Sequence, residues 1–414
     1  IAGTILGPAG ATNLMGEIRL RGTARLLAPG AVLVTSRGVG EDGRELVDGL
    51  VLPGGSISLS ANSGSATSIK IDAGAVLDVS GAQATFDVPT AMGGNDVSTR
   101  IPTQIASDGG SISITASALT ISDATYLAHA GGPTARGGAL SIAWSAPYKA
   151  SGGSAAPLLD TLRDYFTYGY FYDIDGNPLN SFYGTDLSRV DWAAWGLSLE
   201  FPPGFAISDR DSIMTQFNAL TGASAGGPPM FVIGDASAIT LPELPVPQIE
   251  PAILNLLSGL FGYTPPAPNT NPPAITSFSP GKIASGGFSS LTISASPGLV
   301  FAPGSGLGGR KADGSYILDQ LTINAPKLIA TNGADVKLEA NIVRLGGASG
   351  SGEVDQGLYD AAINALVRPV NEGTFLTIQA GTLIDVEAAV FHGWKTANLF
   401  SGGGIRLVGA GGKR

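Results

Sequence analysis

The chain contains no cysteine, only two histidines and few charges: 14% of its 414 residues are Asp, Glu, Lys or Arg. Each shortage excludes something. Without Cys there is no disulfide framework and no thiolate metal site, and with only His129 and His392 a zinc centre has too few ligands. The two histidines follow strand-like runs in different parts of the chain and read better as polar turn positions than as a ligand pair. No run of 18 apolar residues is present, so no membrane-spanning helix is expected. The net charge is −10 and the 23 basic residues form no run or patch, which argues against nucleic acid. The absence of Cys also suits a chain threaded unfolded through a bacterial envelope, although cytosolic proteins share it.

What the chain has instead is glycine, 60 residues of it, without the strict three-residue period of collagen. At 43% hydrophobic residues it is not a disordered chain. The glycines fall in a recurring phrase, Gly-Gly followed by alternating apolar and small polar residues. Copies begin at Gly54, Gly109, Gly137 and Gly286, with fainter ones near Gly373 and Gly402. Each reads as a sharp turn followed by a strand with every second side chain apolar. One such strand cannot bury its apolar face alone, but stacked copies cover one another.

The fold class expected is therefore all-β, a right-handed parallel β-helix or solenoid, with an extra-helical, partly helical insertion. Residues 1–146 form one repeat tract, and 283–414 a second that continues the solenoid. Ser56–Ala61, Ser68–Asp72 and Ala75–Ser80 are three short strands in about 25 residues, the length of one triangular coil. Ala31–Thr35 reads as another repeat strand. At about 23 residues per coil and about 4.8 Å per level, the tracts predict around 12 coils and a rod about 55–60 Å long. Ile57, Leu59, Ile112, Ile114, Leu140, Ile142, Leu291 and Ile293 are predicted to point into the core.

Residues 147–282 differ in chemistry. Twelve aromatics fall within 150–205 and ten prolines within 242–280. Prolines cannot donate to a strand ladder, so this stretch reads as an insertion. Helices are predicted from a capping box at Ser208/Asp211 through Ile213–Leu220, from Pro251 through Leu257 with Gly259 as stop, and over Asp186–Trp195. Thr264–Pro280 reads as an extended linker. A small helical insertion is expected near 355–369, over Asp355–Val367.

Candidate chemistry is sparse. Asp173-Ile174-Asp175-Gly176-Asn177 resembles the start of a calcium loop, but its Gly comes early and its twelfth position is Gly184, so a tight turn is the better reading. Asp72, Asp78, Asp335 and Asp385 sit on or beside strands. A glycosidase or lyase would need such carboxylates aligned across coils with basic residues beside them, and solvent-facing positions are the better reading. No catalytic residue, metal ligand or cofactor site is assigned, and no enzymatic activity is expected. Trp192, Trp195, Phe201 and Phe205 are expected to form the insertion's core. Tyr168, Tyr170 and Tyr172 share one face of a strand-like run, opposite Phe171. The partner-binding candidates are Tyr168, Tyr170, Tyr172, Trp192 and Trp195, which could stack on sugar rings or meet a protein.

The Gly-Gly-Ser-Ile-Ser repeats, together with Ile71-Asp-Ala-Gly-Ala-Val-Leu-Asp-Val-Ser-Gly-Ala82, resemble filamentous haemagglutinin-type exoproteins of two-partner secretion. The resemblance covers both repeat tracts. It implies a right-handed parallel β-helix, an outer-membrane secretion pore as partner, and a place outside a Gram-negative cell, secreted or on its surface. That family's N-terminal secretion domain is not recognisable here, and the chain closes on a strand-like run without a polar cap, so an internal fragment is expected. The functional expectation is a non-catalytic adhesin or structural rod. Its partners would be host or matrix glycans or proteins, or further copies in a filament. The alternatives are a carbohydrate-active β-helix, either lyase or hydrolase, and a filament subunit.

Overall fold

The computed structural model describes residues 1–40, 43–61, 68–89, 100–116, 118–121, 124–145, 155–207, 230–239, 251–261, 275–296, 298–331, 333–347 and 373–408. The protein is mostly β, built from parallel sheets whose strands stack level upon level. The main wall runs through Ala11–Met15, Ser56–Ser60, Ser111–Ala116, Ala139–Ser145, Ser290–Ser296, Gln320–Asn324 and then the second halves of Asp335–Gly346 and Phe375–Glu387. Every pairing along it is parallel and in register. One column of partners reads Ile57, Ile112, Leu140, Leu291, Leu321, Val343, Ile384. The next reads Leu59, Ile114, Ile142, Ile293, Ile323, Leu345, Val386. All eight aliphatic residues expected in the core are buried.

Two further walls close around the same core. One stacks Thr4–Leu6, Arg25–Leu27, Val76–Asp78 and Thr125–Leu127. The other stacks Ile18–Leu20, Ser68–Ile71 and Ala118–Ile121. It is followed by a five-stranded sheet in the order Ile275–Phe278, Met230–Ile233, Leu299–Phe301, Lys327–Ala330, Val390–His392. Aliphatic and aromatic side chains from all these walls meet in a single buried cluster. Trp144 belongs to it, with Ala116 and Ala295 as its register partners on either side. Small residues above and below make room for the indole.

The Gly-Gly dyads serve close approach more than unusual turn angles. A Cβ on Gly110 would lie 1.8 Å from the Gly55 carbonyl oxygen, and one on Gly138 would lie 2.0 Å from that of Gly110. Corner backbones of successive levels touch directly, and no side chain fits between them.

Residues 139–145 pair in register with 290–296, so the stack runs on across the stretch that composition sets apart. That stretch is not wholly outside the stack. Met230–Ile233 and Ile275–Phe278 lie within it and join the five-stranded sheet, paired in parallel with each other. Ile275–Phe278 corrects the linker reading of Thr264–Pro280: between Pro273 and Pro280 no proline interrupts the chain, and Ile-Thr-Ser-Phe there alternates as a strand should. Ala31–Thr35 is also corrected. It belongs to Ala31–Val39, which forms an antiparallel hairpin with Glu45–Leu52. A partner a few residues away needs a shorter loop closure than one a full level away. A second hairpin, Gln83–Pro89 with Arg100–Ala106, lies against the first. The buried Asp87 accepts from the Val47 N–H at 2.7 Å and pairs with Arg44 at 2.8 Å. Because the two hairpins take chain away from the walls, the main path has nine levels among the described residues where the two tracts predict around twelve. Its height is then about 38 Å.

The Pro251 helix forms and runs on to Phe261, past Gly259. Asp186–Trp195 does not form one helix but two 3-10 turns, Leu187–Arg189 and Ala193–Trp195, because Asp186 and Asp191 each accept from a backbone N–H two or three residues on. A helix over Ala155–Thr167 is present without having been predicted. Ile213–Leu220 and Asp355–Val367 lie outside the described residues.

Gly110→Ala is expected to lower stability by about 2–3 kcal/mol, as overpacking of a tight contact does. Gly7→Ala, where no atom lies within 4 Å of the added Cβ, serves as control and should leave stability unchanged. Denaturant midpoints of the two variants check this.

Candidate functional site

The aromatic stretch folds on its own core. The helix Ala155–Thr167 buries Leu162 and Phe166, and Pro251–Phe261 contributes Leu256 and Leu257 to the same cluster. Phe166 stacks on Phe171 at 4.4 Å and meets Phe182 at 5.3 Å. Trp192 meets Phe171 edge-on at 5.5 Å, and its indole N–H donates to the Leu187 carbonyl at 3.0 Å. Phe201 is buried, while Phe205 and Trp195 are only partly covered.

The first helix ends in a way that determines what reaches the surface. Gly169 adopts φ +72°. Its N–H donates to the Phe166 carbonyl, and the Tyr170 N–H donates to the Tyr165 carbonyl. This is the paired closure of a Schellman motif, completed by an edge-to-face contact of Tyr165 with Tyr170 at 5.7 Å. The chain then runs out with Phe171 turned inward and Tyr168, Tyr170 and Tyr172 outward. Their exposures are 74%, 55% and 48%. Trp195 stacks on Phe171 at 4.7 Å and on Tyr165 at 5.9 Å, with 39% of its surface open. The tyrosine face expected from the sequence is therefore present, although a helix end produces it rather than a strand. Trp192, the fifth partner candidate, is 4% exposed and offers no ring face to a partner. Its hydrogen-bonding end is already used within the module.

The loop after Tyr172 is a tight turn. Asp173 Oδ1 accepts from the backbone N–H of Asp175 at 3.0 Å and of Asn177 at 2.8 Å, and Asn177 Nδ2 donates to both carboxylate oxygens. The Asn177 side chain, then its backbone N–H, hold the Asp173 carboxyl below its ordinary value. Asp175 instead pairs with Arg189 at 2.5 Å. Among the described residues no three His, Cys, Asp or Glu side chains gather as a metal site would require.

The strand carboxylates are dispersed. Asp72 meets Arg19 at 3.3 Å, Asp78 accepts from the Ser80 N–H, and Asp335 is exposed. Asp385 is buried, with Arg344 and Arg406 as register partners on either side, and accepts from Arg406 Nε at 2.8 Å. This Arg-Asp-Arg row sets basic residues on both sides of a strand carboxylate, a clustering the sequence reading did not find. None of the four is the register partner of another carboxylate. His129 is exposed, and His392 ends the strand Val390–His392.

A cavity of about 900 Å³ lies elsewhere, and sequence reading missed it. Three of its sides are segments at the carboxyl ends of neighbouring parallel strands: Gly234–Ala236, Ser277–Lys282 and Pro303–Gly306. Its inner side is Ile121 and Tyr126. Tyr126 is buried in the last strand of its wall, and its hydroxyl has no hydrogen-bond partner. Burial pushes its phenol well above the ordinary value.

No protein-family model, curated protein or solved structure matches the chain.

Trp192→Ala should destabilise the aromatic module by about 3–5 kcal/mol, whereas Tyr168→Ala should change stability by less than about 0.5 kcal/mol. Thermal unfolding followed by near-UV circular dichroism distinguishes the two. The Asp173 loop has its own pH dependence. Because the carboxyl is held below its ordinary 3.8, its stabilisation is full above that value and disappears as pH falls through the lowered pKa. Loss of amide protection at Asn177 only at pH below 3.8, followed by NMR, is the expected result.

Proposed function

We propose that the chain is part of a right-handed parallel β-helix belonging to a bacterial exoprotein of the filamentous haemagglutinin type. It is exported through an outer-membrane pore and acts outside the cell as a non-catalytic adhesive rod. The in-register aliphatic columns support the rod. Such a stack grows by adding levels and needs no closed globular core. The observation that carries the adhesive part is the tyrosine ledge. Tyr168, Tyr170 and Tyr172 are exposed on a module with its own aromatic core, while the strands before and after that module pair with each other in register. A module of this kind presents a surface without interrupting the rod. Planar, partly exposed aromatic rings suit the apolar faces of sugars and the apolar patches of proteins. Many copies along a surface would add avidity to weak single contacts.

The combined substitution Tyr168→Ser, Tyr170→Ser and Tyr172→Ser tests this reading. Attachment of purified protein to host cells or matrix should fall at least about ten-fold, with circular dichroism and melting temperature unchanged because exposed positions contribute little to stability. Unchanged attachment would remove the ledge as a binding surface.

A further inference from the structure

The two hairpins that leave the stack rest on each other through one strand apiece. Gln83–Pro89 lies against Glu45–Leu52, so Ala31–Val39 and Arg100–Ala106 are the outer strands. Neither outer strand pairs with a third. Among the described residues no backbone group of Ala31–Val39 is hydrogen-bonded outside its own hairpin. An open strand edge is a template for another chain, and proteins blunt such edges with charge, proline or a bulge. Arg100–Ala106 carries both Arg100 and Pro102. Ala31–Val39 is blunted only in its second half, by the bulge at Thr35 and by Arg37. Ala31–Val34 carries none of these devices.

The same stretch holds exposed apolar surface. Val32, Leu33, Val34 and Leu50 are each between 41% and 54% exposed. Leu33 and Leu50 are register partners and share one face of the hairpin, while Val32 and Val34 lie on the other. No charged residue falls within 31–36 or 49–52. The charges farther along the hairpins are already paired, Arg37 with Glu45 at 3.3 Å and Asp48 with Arg100. In a chain of net charge −10, a neutral apolar edge is where a second copy meets little repulsion. The run is also self-complementary. Ala31-Val32-Leu33-Val34-Thr35 has a valine on each side of Leu33 and a small residue beyond each valine, so it presents similar sizes in either direction. A two-fold interface requires this, because each residue of a facing pair meets the other's counterpart in both copies.

We propose that Ala31–Thr35 pairs antiparallel with the same strand of a second copy of this chain, about a two-fold axis at Leu33. Leu33 then faces Leu33 of the other copy, and Val32 faces its Val34. One face of the joint four-stranded sheet gains the row Leu50, Leu33, Leu33, Leu50. The other face gains two rows of Val51, Val32, Val34 and Gly49. Both copies use the same edge, so the assembly closes as a dimer and does not grow. Five residues a side bury less than the roughly 1,200 Å² of stable complexes, so the dimer is reversible, with a dissociation constant between micromolar and millimolar. None of these residues belongs to the tyrosine ledge, and the pairing does not rest on the adhesive reading.

The test is analytical ultracentrifugation of the full chain from micromolar to millimolar concentration. A reversible monomer–dimer equilibrium with no larger species is expected. Leu33→Lys sets two ammonium groups opposite each other at the axis and should weaken the dimer at least about ten-fold. Its circular dichroism and melting temperature should match the parent's, since Leu33 is half exposed. Leu407→Lys, in the exposed strand Gly404–Val408, is the control for association through another sheet edge and should leave the dimer intact. A second measurement uses the absence of cysteine from the chain. Under mild oxidation Leu33→Cys should cross-link into a dimer faster than Val39→Cys, although Val39 is the more exposed of the two. A monomer at every concentration, growth beyond the dimer, a dimer that survives Leu33→Lys, one lost with Leu407→Lys, or equal cross-linking of the two cysteine variants would each overturn the proposal.

Discussion

Successive levels are one ladder spacing apart, about 4.8 Å, and at the corners this distance brings backbone against backbone. The carbonyl of Gly55 stands where a Cβ on Gly110 would be, and the carbonyl of Gly110 where a Cβ on Gly138 would be. Much else follows from that contact. Glycine dyads at the corners fix where Ser56–Ser60, Ser111–Ala116 and Ala139–Ser145 begin, so the alternation after them enters in the same phase at each of these levels. Ile112 then falls between Ile57 and Leu140, and Ile114 between Leu59 and Ile142. A strand displaced by one residue would turn its whole aliphatic set outward. The glycine column therefore sets a register from which the apolar columns result.

The same constraint explains where irregularity is tolerated. The hairpins leave between walls and return without altering the ladder, since Ser56–Ser60 pairs with both Ala11–Met15 and Ser111–Ala116. The aromatic module leaves after Ala139–Ser145 and is followed by Ser290–Ser296 in phase. At this level the walls differ in the number of strands they hold. The Gly281–Gly286 helix takes up the difference, and Tyr126 is left against a cavity instead of beneath another strand.

How much of this was legible in the sequence depends on the range of the signal. The eight core aliphatics could be read because Gly-Gly and period-two alternation lie within ten residues of each other. Ala31–Thr35 could not be placed, because a hairpin strand and a stacking strand alternate alike, and only the partner at Glu45–Leu52 separates them. Tyr168, Tyr170 and Tyr172 were recognised as one face from their spacing, but the helix before them was not, so the cause was misread as a strand. The cavity had no local signature. Tyr126, Asp235, Ser279 and Ser305 come from four distant segments, brought together by the extra strand Ile275–Phe278 behind the proline-rich stretch.

The pairing of Ala139–Ser145 with Ser290–Ser296 also has a consequence in time. Neighbouring levels elsewhere are joined by a few tens of residues, whereas this pair closes a span of well over a hundred. The additional closure entropy is about 1–1.5 kcal/mol, and contacts this distant in sequence slow folding. A chain appearing from its N-terminal end can zip its first levels as they emerge. It must then wait at Trp144 until the next strand has been delivered. The level that carries the cavity is thus a kinetic seam, with one half of the stack assembled and a sheet edge held open for its continuation.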